Sequence, residues 1–373
     1  MGYNMKKVII TLFFIMIFSK NVYGTEDDEI SEYDFTEINN VINTENNFNF
    51  EEVLREIVKG DFQDGFTKMG DMLLSSVFGE IESEKNIIVR IIIIGLTAAL
   101  FSNITGGILS GKISETGFYI TYMSLIVSII AGYSVVAALI KRTMERLSAL
   151  MEAVTPVYIL SIGFSTGESS ATAFYQVIII VITIIEKILL NFVIPLIYVF
   201  MILNVINNLM DGKMFTKACE LLKSITEWIL KTIMTLVIGL NLIRTLINPI
   251  VDSLKMGTLW KVMQSIPGVG NALNSMSSVV FASGTLIKNG IGITAMIAIL
   301  VVCFVPIVKT ALISVSYKAV GAILEPVSDK RIVNCINGVY ESMVLLMKTL
   351  IYATIFFILT IAIICASTNY HVT

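Results

Sequence analysis

The sequence predicts an all-α polytopic membrane protein, with about six to seven transmembrane helices, further broken or amphipathic segments, and an N-terminal signal peptide. Hydrophobic residues make up 55% of the 373-residue chain and charged residues 15%, and the mean hydropathy is +0.82. These values are typical of polytopic membrane proteins. The longest apolar stretch, 174–210, contains only two charged residues, Glu186 and Lys187. It exceeds the roughly 20 residues that cross a hydrocarbon core, which predicts a tilted or broken span or two packed segments.

Residues 1–24 are typical of an export signal. Lys6 and Lys7 precede an apolar run over 8–18, and compact residues follow at 22–24, where a signal peptidase would cleave. A retained N-terminal anchor is the alternative.

An acidic extracytoplasmic segment, 25–86, should follow, since it holds 17 acidic and 4 basic residues. We expect residues 25–49 to be an unstructured tether, because they are rich in Asp, Glu and Asn. Apolar residues recur at three- and four-residue spacing between 53 and 81, which predicts one or two amphipathic helices.

The helical transmembrane domain is predicted over residues 87–373. Its predicted spans are 87–109, 117–140, the long stretch 174–210, 227–247, 291–315 and 343–366. The segments between them are predicted to be amphipathic at 141–152, 251–266 and 318–340, and a polar loop at 211–226. A cleaved signal and six spans place 25–86 outside and the lysine-containing segments 211–226 and 318–340 in the cytoplasm, as the positive-inside bias favours. The same count leaves Lys141, Arg142 and Arg146 outside.

Two proline-led stretches are too rich in small and polar residues for ordinary spans. Their residues of interest are Pro156, Gly163, Ser165 and Gly167 in the first, and Pro267, Gly268 and Gly270 in the second. Irregular backbone at membrane depth is tolerated only where protein covers it or water lines it. Both stretches are therefore candidates for lining a passage.

Intramembrane polar residues are the other candidates. Glu186 and Lys187 would point about 100° apart on a helix, so they cannot pair with each other, and each needs a partner or water. A charge at mid-bilayer costs roughly 2.5 to 3.5 kcal/mol, and such residues usually face a bundle interior or a cavity. Asn191 lies one turn further on. The alternative is a turn at Glu186 and Lys187, which would leave both charges among lipid headgroups.

Catalytic motifs are weak. The G-x-S-x-G match at 163–167 would need a histidine and an acid, but the only histidine is His371, and no alternating strand and helix pattern is present. The four cysteines are isolated and form no CxxC pair. We expect no enzymatic activity, no cofactor and no metal, and no basic face interleaved with aromatic residues suggests nucleic acid.

The ordered pattern resembles the stage III sporulation protein AE family of endospore-forming bacteria. The likeness is carried by the signal and acidic segment, by 156–176 ending in AFYQ, by SIPGVGNALNSMSSVVFASGTLIKNGIG at 265–292, and by VPIVKTALISVSYKAVGAILEPVSD at 305–329. The resemblance implies a mother-cell membrane protein that acts with the other stage III sporulation A operon products and with stage II sporulation protein Q of the forespore. Together they would form a conduit across the double membrane that late forespore gene expression needs.

Two functions are therefore in contention. The first is a non-enzymatic subunit of that secretion-like conduit, and the second is a stand-alone small-molecule transporter or permease. Membrane lipid is an expected partner in both, and association with further copies of the chain stays open.

Overall fold

The computed structural model describes residues 30–31, 33–42, 48–59, 89, 93, 96, 112–166, 180–209, 214–236, 238–239, 270–326 and 328–367. Within these residues all regular structure is helical, which confirms the all-α class. The continuous described ranges contain two short helices and five long ones: α1 (Thr36–Ile42), α2 (Phe50–Val58), α3 (Lys112–Thr166), α4 (180–209), α5 (216–236), α6 (Gly270–Leu324) and α7 (Lys330–Ser367).

Four of these helices are long and apolar enough to cross a membrane. The candidate spans are Tyr122–Ser161, Ile180–Asn208, Gly284–Leu324 and Lys330–Ala362. The polytopic class is confirmed, and the predicted count of about six to seven is supported only roughly. The predicted span 87–109 lies outside the described residues except for positions 89, 93 and 96.

Helices α6 and α7 form an antiparallel hairpin at the centre of the bundle. Gly321 of α6 lies against Asn337 of α7 near the turn, and Gly292 lies against Cys365 at the far end. The turn at 325–329 is closed by the amide of Ser328, which donates to the Leu324 carbonyl at 2.8 Å.

Helix α3 packs along this hairpin, antiparallel to α6. Gly132 of α3 lies against the Tyr317 hydroxyl of α6, and the Tyr158 hydroxyl lies 3.0 Å from the Cys365 sulfur of α7. The absent side chain at Gly132 therefore permits the close approach of α3 and α6.

Helices α4 and α5 complete the bundle. The Tyr122 hydroxyl of α3 donates to the Val205 carbonyl of α4 at 3.2 Å, and the Tyr133 ring of α3 meets the Tyr198 ring of α4 edge-on. These two contacts show that α3 and α4 are antiparallel. Helix α5 is joined to α7 by two ion pairs, Lys223–Glu341 at 3.0 Å and Lys348–Glu227 at 2.9 Å.

A π-turn, Leu189–Val193, interrupts the α-helical pattern of α4, and α-helix resumes over Ile194–Leu209. The amide of Ile194 donates to the carbonyl of Leu189, five residues earlier. Pro195 explains the irregularity, because proline has no amide hydrogen to donate and its ring crowds the carbonyl of Asn191 four residues earlier.

The segment 141–152 was predicted to lie on a membrane surface, and this prediction is wrong. It continues the helix of 117–140 without a break, since α3 runs through to Thr166. The predicted interruption at Pro156 is also wrong, because Pro156 lies inside α3 on an exposed face. There its missing amide hydrogen leaves only one helical hydrogen bond unmade, to the carbonyl of Glu152.

Two further boundaries differ from the sequence prediction. Most of the predicted loop 211–226 belongs to α5, which begins at residue 216, and residues 211–213 lie outside the described part. The predicted amphipathic segment 318–340 is divided between the ends of α6 and α7, whose buried residues include Val320, Ile332 and Val339. Packing of these helix ends against the bundle explains their periodicity better than a membrane surface does.

Helices α1 and α2 dock on the bundle far from the 325–329 turn. Leu54 and Val58 of α2 lie against Gly290 of α6, and Arg146 of α3 donates to the Ile42 carbonyl of α1 at 3.4 Å. Gly290 and Leu324 are separated by 34 residues of α6, which corresponds to about 50 Å of helix. Helix α2 covers the start of the stretch 53–81, in which one or two amphipathic helices were predicted, and residues 60–81 lie outside the described part. Helix α1 lies in the stretch predicted to be a tether.

We expect Gly132→Ala to lower the free energy of unfolding by about 1 to 3 kcal/mol, because the added methyl would overlap the Tyr317 hydroxyl oxygen. Adding Tyr317→Phe should restore most of the loss, since the nearest ring carbon lies at 3.4 Å. Chemical unfolding of the detergent-solubilised protein measures both effects. Gly239→Ala is the control, because nothing lies within 4 Å of a side chain there. Failure of Tyr317→Phe to rescue would contradict the contact.

Leu54→Ala should weaken the docking of α2 by about 2 to 5 kcal/mol, because Leu54 is fully buried against α6. Hydrogen–deuterium exchange should then accelerate over residues 50–58 and stay unchanged in α7. Glu52→Ala, on the exposed face of α2, serves as the control. Equal exchange in both variants would show that another contact holds α2.

Candidate functional site

Polar side chains on the neighbouring helices α3 and α4 form the first candidate site, which we call the ionic stripe. Its members are Lys141, Arg142, Glu145, Ser148 and Glu152 of α3, and Glu186, Lys187 and Asn191 of α4. Four of the α3 residues recur at four-, three- and four-residue spacing, so they share one face of the helix. The ammonium of Lys141 lies 3.9 Å from the Glu145 carboxylate, and these side chains are 60% and 53% exposed. This pair therefore leaves both charges in contact with the surroundings.

The α4 half of the stripe contains the three polar residues predicted from the sequence. Glu186 is only 8% exposed and lies near Ser148 on α3, with Glu152 and Lys187 as the neighbouring charges. Lys187 and Asn191 are exposed, and Asn191 lies within the π-turn. The alternative of a turn at Glu186 and Lys187 is excluded, since the helix continues through both residues.

The stripe lies at the height of the most apolar part of α6. Gly132 meets Tyr317, and Tyr158 meets Gly292, so 26 residues of α3, about 39 Å, run beside the same length of α6. Glu145 is halfway along this interval. Over it, α6 carries a single charged residue, Lys309.

The proline-led stretches lie only partly within the described residues. Gly163 and Ser165 belong to the last turns of α3, whereas Gly167 lies outside the described residues. Pro267 and Gly268 also lie outside them, and Gly270 is the first residue of α6. Pro156 is one turn beyond Glu152, the last stripe residue on α3.

A second polar site, which the sequence analysis missed, is a cleft of about 400 Å³ between α4, α5 and α7. We call it the asparagine cleft. Its amides belong to Asn204, Asn207, Asn208, Asn334 and Asn337, and its other lining residues are Phe200, Thr216, Cys219, Glu220, Lys223, Gly338 and Glu341. The three asparagines of α4 share one helix face, a spacing that was visible in the sequence but hidden within a long apolar stretch.

Asn207 holds the turn between α4 and α5. Its side-chain amide donates to the Thr216 hydroxyl at 3.1 Å, and its carbonyl oxygen accepts from the amide of Phe215 at 2.8 Å. On the α5 wall, burial raises the pKa of the Cys219 thiol above its ordinary value. A raised pKa keeps the thiol protonated, and a protonated thiol is a poor nucleophile.

A hydrocarbon core about 30 Å thick cannot avoid both polar sites. The cleft residue Asn204 adjoins Val205, the partner of Tyr122 of α3. The cleft residue Asn337 meets Gly321, one turn of α6 from Tyr317, the partner of Gly132. The cleft therefore lies near the level of Tyr122 to Gly132 of α3, while the stripe runs from Lys141 to Glu152. Along α3, about 14 Å separates Gly132, at the end of the cleft, from Lys141, at the start of the stripe. The helix extends only about 21 Å beyond Glu152 and about 15 Å before Tyr122, so no 30 Å length of α3 is free of both sites. Part of the stripe or of the cleft therefore lies at membrane depth, where it needs water or protein around it.

Neither site, as far as the structure describes it, groups residues that could hold a metal ion. In the described ranges, no group of three or more His, Cys, Asp or Glu side chains could hold a metal ion. All four cysteines are buried and unbridged. The arrangement can solvate, orient and bind polar or charged solutes.

Comparisons with known proteins point to one family. Residues 48–368 match the family model described as stage III sporulation protein AE. The chain is similar to the stage III sporulation protein AE of Bacillus subtilis (strain 168), with 20% identity over 317 residues that cover 85% of this chain and 79% of that protein. No solved structure matches. Because the family model spans most of the sequence, this sporulation-related membrane protein belongs to the stage III sporulation protein AE family.

Proposed function

We propose that this protein is an integral membrane subunit of the conduit that links the mother cell to the forespore and supports forespore development. It resides in the mother-cell membrane with residues 25–86 on the extracytoplasmic side. It acts without enzymatic chemistry or cofactors, together with the other stage III sporulation A operon proteins and stage II sporulation protein Q. Family membership supports the sporulation setting.

The observation that carries the proposal is the ionic stripe. Exposed charges beside the apolar middle of α6 are unfavourable against lipid, at roughly 2.5 to 3.5 kcal/mol each, and are stable against water. A conduit subunit would turn this face toward an aqueous passage and turn its apolar faces toward lipid. Val127 of α3 and Val199 of α4, which are 69% and 47% exposed, are examples of the latter.

The docking of α1 and α2 supports the proposed orientation. They pack about 50 Å from the 325–329 turn. An extracytoplasmic segment and a cytoplasmic turn should be well separated in this way, because they lie on opposite sides of the membrane. The basic residues Lys330 and Arg331 begin α7 at that turn, on the side that the positive-inside bias assigns to the cytoplasm.

Replacing stripe charges with leucine tests the proposal. In a Lys141→Leu/Glu145→Leu chain, an aqueous passage should lose hydration and conduct poorly, so late forespore reporter expression should fall several-fold at normal protein abundance. The free energy of unfolding should change by only about 0.5 kcal/mol, because water solvates these positions. Reporter assays in the sporulating host and unfolding of the purified protein give the two readouts.

Met123→Ala and Val127→Ala, on the exposed apolar face of α3, are the matched controls and should leave the reporter unchanged. If the leucine variant instead gained about 2 to 3 kcal/mol per charge with normal reporter expression, the stripe would be facing lipid. That result would remove the main support for a passage here.

A stand-alone small-molecule transporter is the second candidate, favoured by the asparagine cleft, whose volume suits a small solute. Reconstitution separates the two functions. A transporter should exchange small solutes across proteoliposomes that contain this chain alone, whereas the conduit subunit should do so only in the presence of its partners.

A further inference from the structure

A glycine allows two walls of the asparagine cleft to pack closely. A side chain at Gly338 of α7 would overlap the amide of Asn204 on α4, so the absent side chain lets α4 bring its amides directly against α7. Helix α5 supplies the third wall and is fixed there by the Lys223–Glu341 ion pair at 3.0 Å. The cleft is therefore part of the packing of three helices and not a gap between loops.

The amides of the cleft keep hydrogen-bonding groups available to a ligand. Asn208 donates to Asn204 of the same helix, at 2.8 Å to its backbone carbonyl and 2.9 Å to its side-chain oxygen. The Asn337 oxygen accepts from Lys318 at 3.4 Å. Among the described residues, the Asn334 amide and the NH₂ groups of Asn204 and Asn337 make no side-chain hydrogen bond, so they can offer both donors and acceptors.

Charges of both signs face the same space. The ammonium of Lys223 and the carboxylate of Glu341 are paired across the cleft, with 40% and 44% of their side chains exposed. Glu220 adds a second carboxylate to the lining and pairs with Lys217 at 2.8 Å outside it. A ligand here therefore meets one cationic and two anionic groups within a neutral amide wall.

We infer that the asparagine cleft binds a small zwitterionic solute of the α-amino-acid class. Such a molecule carries its ammonium and carboxylate groups close together, so it can align against the Lys223–Glu341 pair and satisfy both charges. A simple anion would face two carboxylates, and a simple cation could bind a carboxylate but would leave Lys223 without a new partner. A neutral solute would leave the ion pair without a new partner.

Binding is measured by equilibrium dialysis of the full-length protein in lipid nanodiscs, with radiolabelled L-glutamine as the probe. Glutamine's own amide can pair with the asparagines. Unlabelled glutaminamide, which lacks the anionic group, and N-acetylglutamine, which lacks the cationic group, serve as competitors. We expect saturable glutamine binding and at least about tenfold weaker competition by either derivative.

Substitutions locate the site. Lys223→Met and Glu341→Gln should each weaken binding at least about tenfold, and Gly338→Ala should weaken it by narrowing the cleft. Glu325→Gln, on the exposed 325–329 turn, is the matched control and should bind normally. Circular dichroism and size-exclusion chromatography identify any variant that has unfolded, and Glu341→Asp, which keeps the charge, should retain most of the affinity.

Absence of saturable binding by the folded protein, or equal competition by both derivatives, would overturn the inference. Normal affinity of folded Lys223→Met and Glu341→Gln would do the same. None of these results bears on the ionic stripe, which lies on α3 and on an earlier part of α4, so the proposed conduit function stands or fails separately.

Discussion

The structure depends on one constraint: ionised and amide side chains on long apolar helices must find water or protein at membrane depth. The stripe and the cleft occupy different heights of the bundle, and the gap between them is too short for a hydrocarbon core. Part of the stripe or of the cleft must therefore be covered by water or protein where α3 crosses the bilayer. The exposed charges of Lys141 and Glu145 and the amide-rich wall of α4 are consequences of the same arrangement.

The α6–α7 hairpin is the frame that positions both sites. Small or absent side chains bring the neighbouring helices close: Gly132 admits the Tyr317 hydroxyl, Gly292 lies at Tyr158 and Cys365, and Gly338 admits Asn204. Close packing at small residues is how helices associate in lipid, where little hydrophobic driving force acts between them. Once α3 and α4 are fixed in this way, their remaining faces carry the polar groups outward or into the cleft.

Composition and apolar run length were sufficient to predict the helical membrane class, because burying backbone in lipid leaves few alternatives to helix. Helix ends were harder to predict. The charged face of 141–152 is typical of a surface helix, yet the opposite face, including Met144 and Leu147, is buried in the bundle. Proline was also misleading, since Pro156 sits within a continuous helix while Pro195 accompanies a π-turn.

The candidate sites were predictable only in part, because helix packing decides which polar residues come together. Glu186 and Lys187 were conspicuous because they are charges within an apolar run. The asparagine cleft was not, because its residues come from three helices that are distant in sequence, and amides lower hydropathy without interrupting a span. Only packing shows that Asn204 and Asn337 line one space.

The central claim is that water reaches polar groups at membrane depth. Nitroxide labels at positions 145 and 220, and at the apolar reference positions 127 and 199, would report immersion depth and water contact in lipid bilayers. The four native cysteines are buried, which limits background labelling. We expect position 145 or 220 to lie as deep as a reference position and yet be accessible to water-soluble paramagnetic reagents. Both labels at headgroup level, or both accessible only to oxygen, would contradict the account.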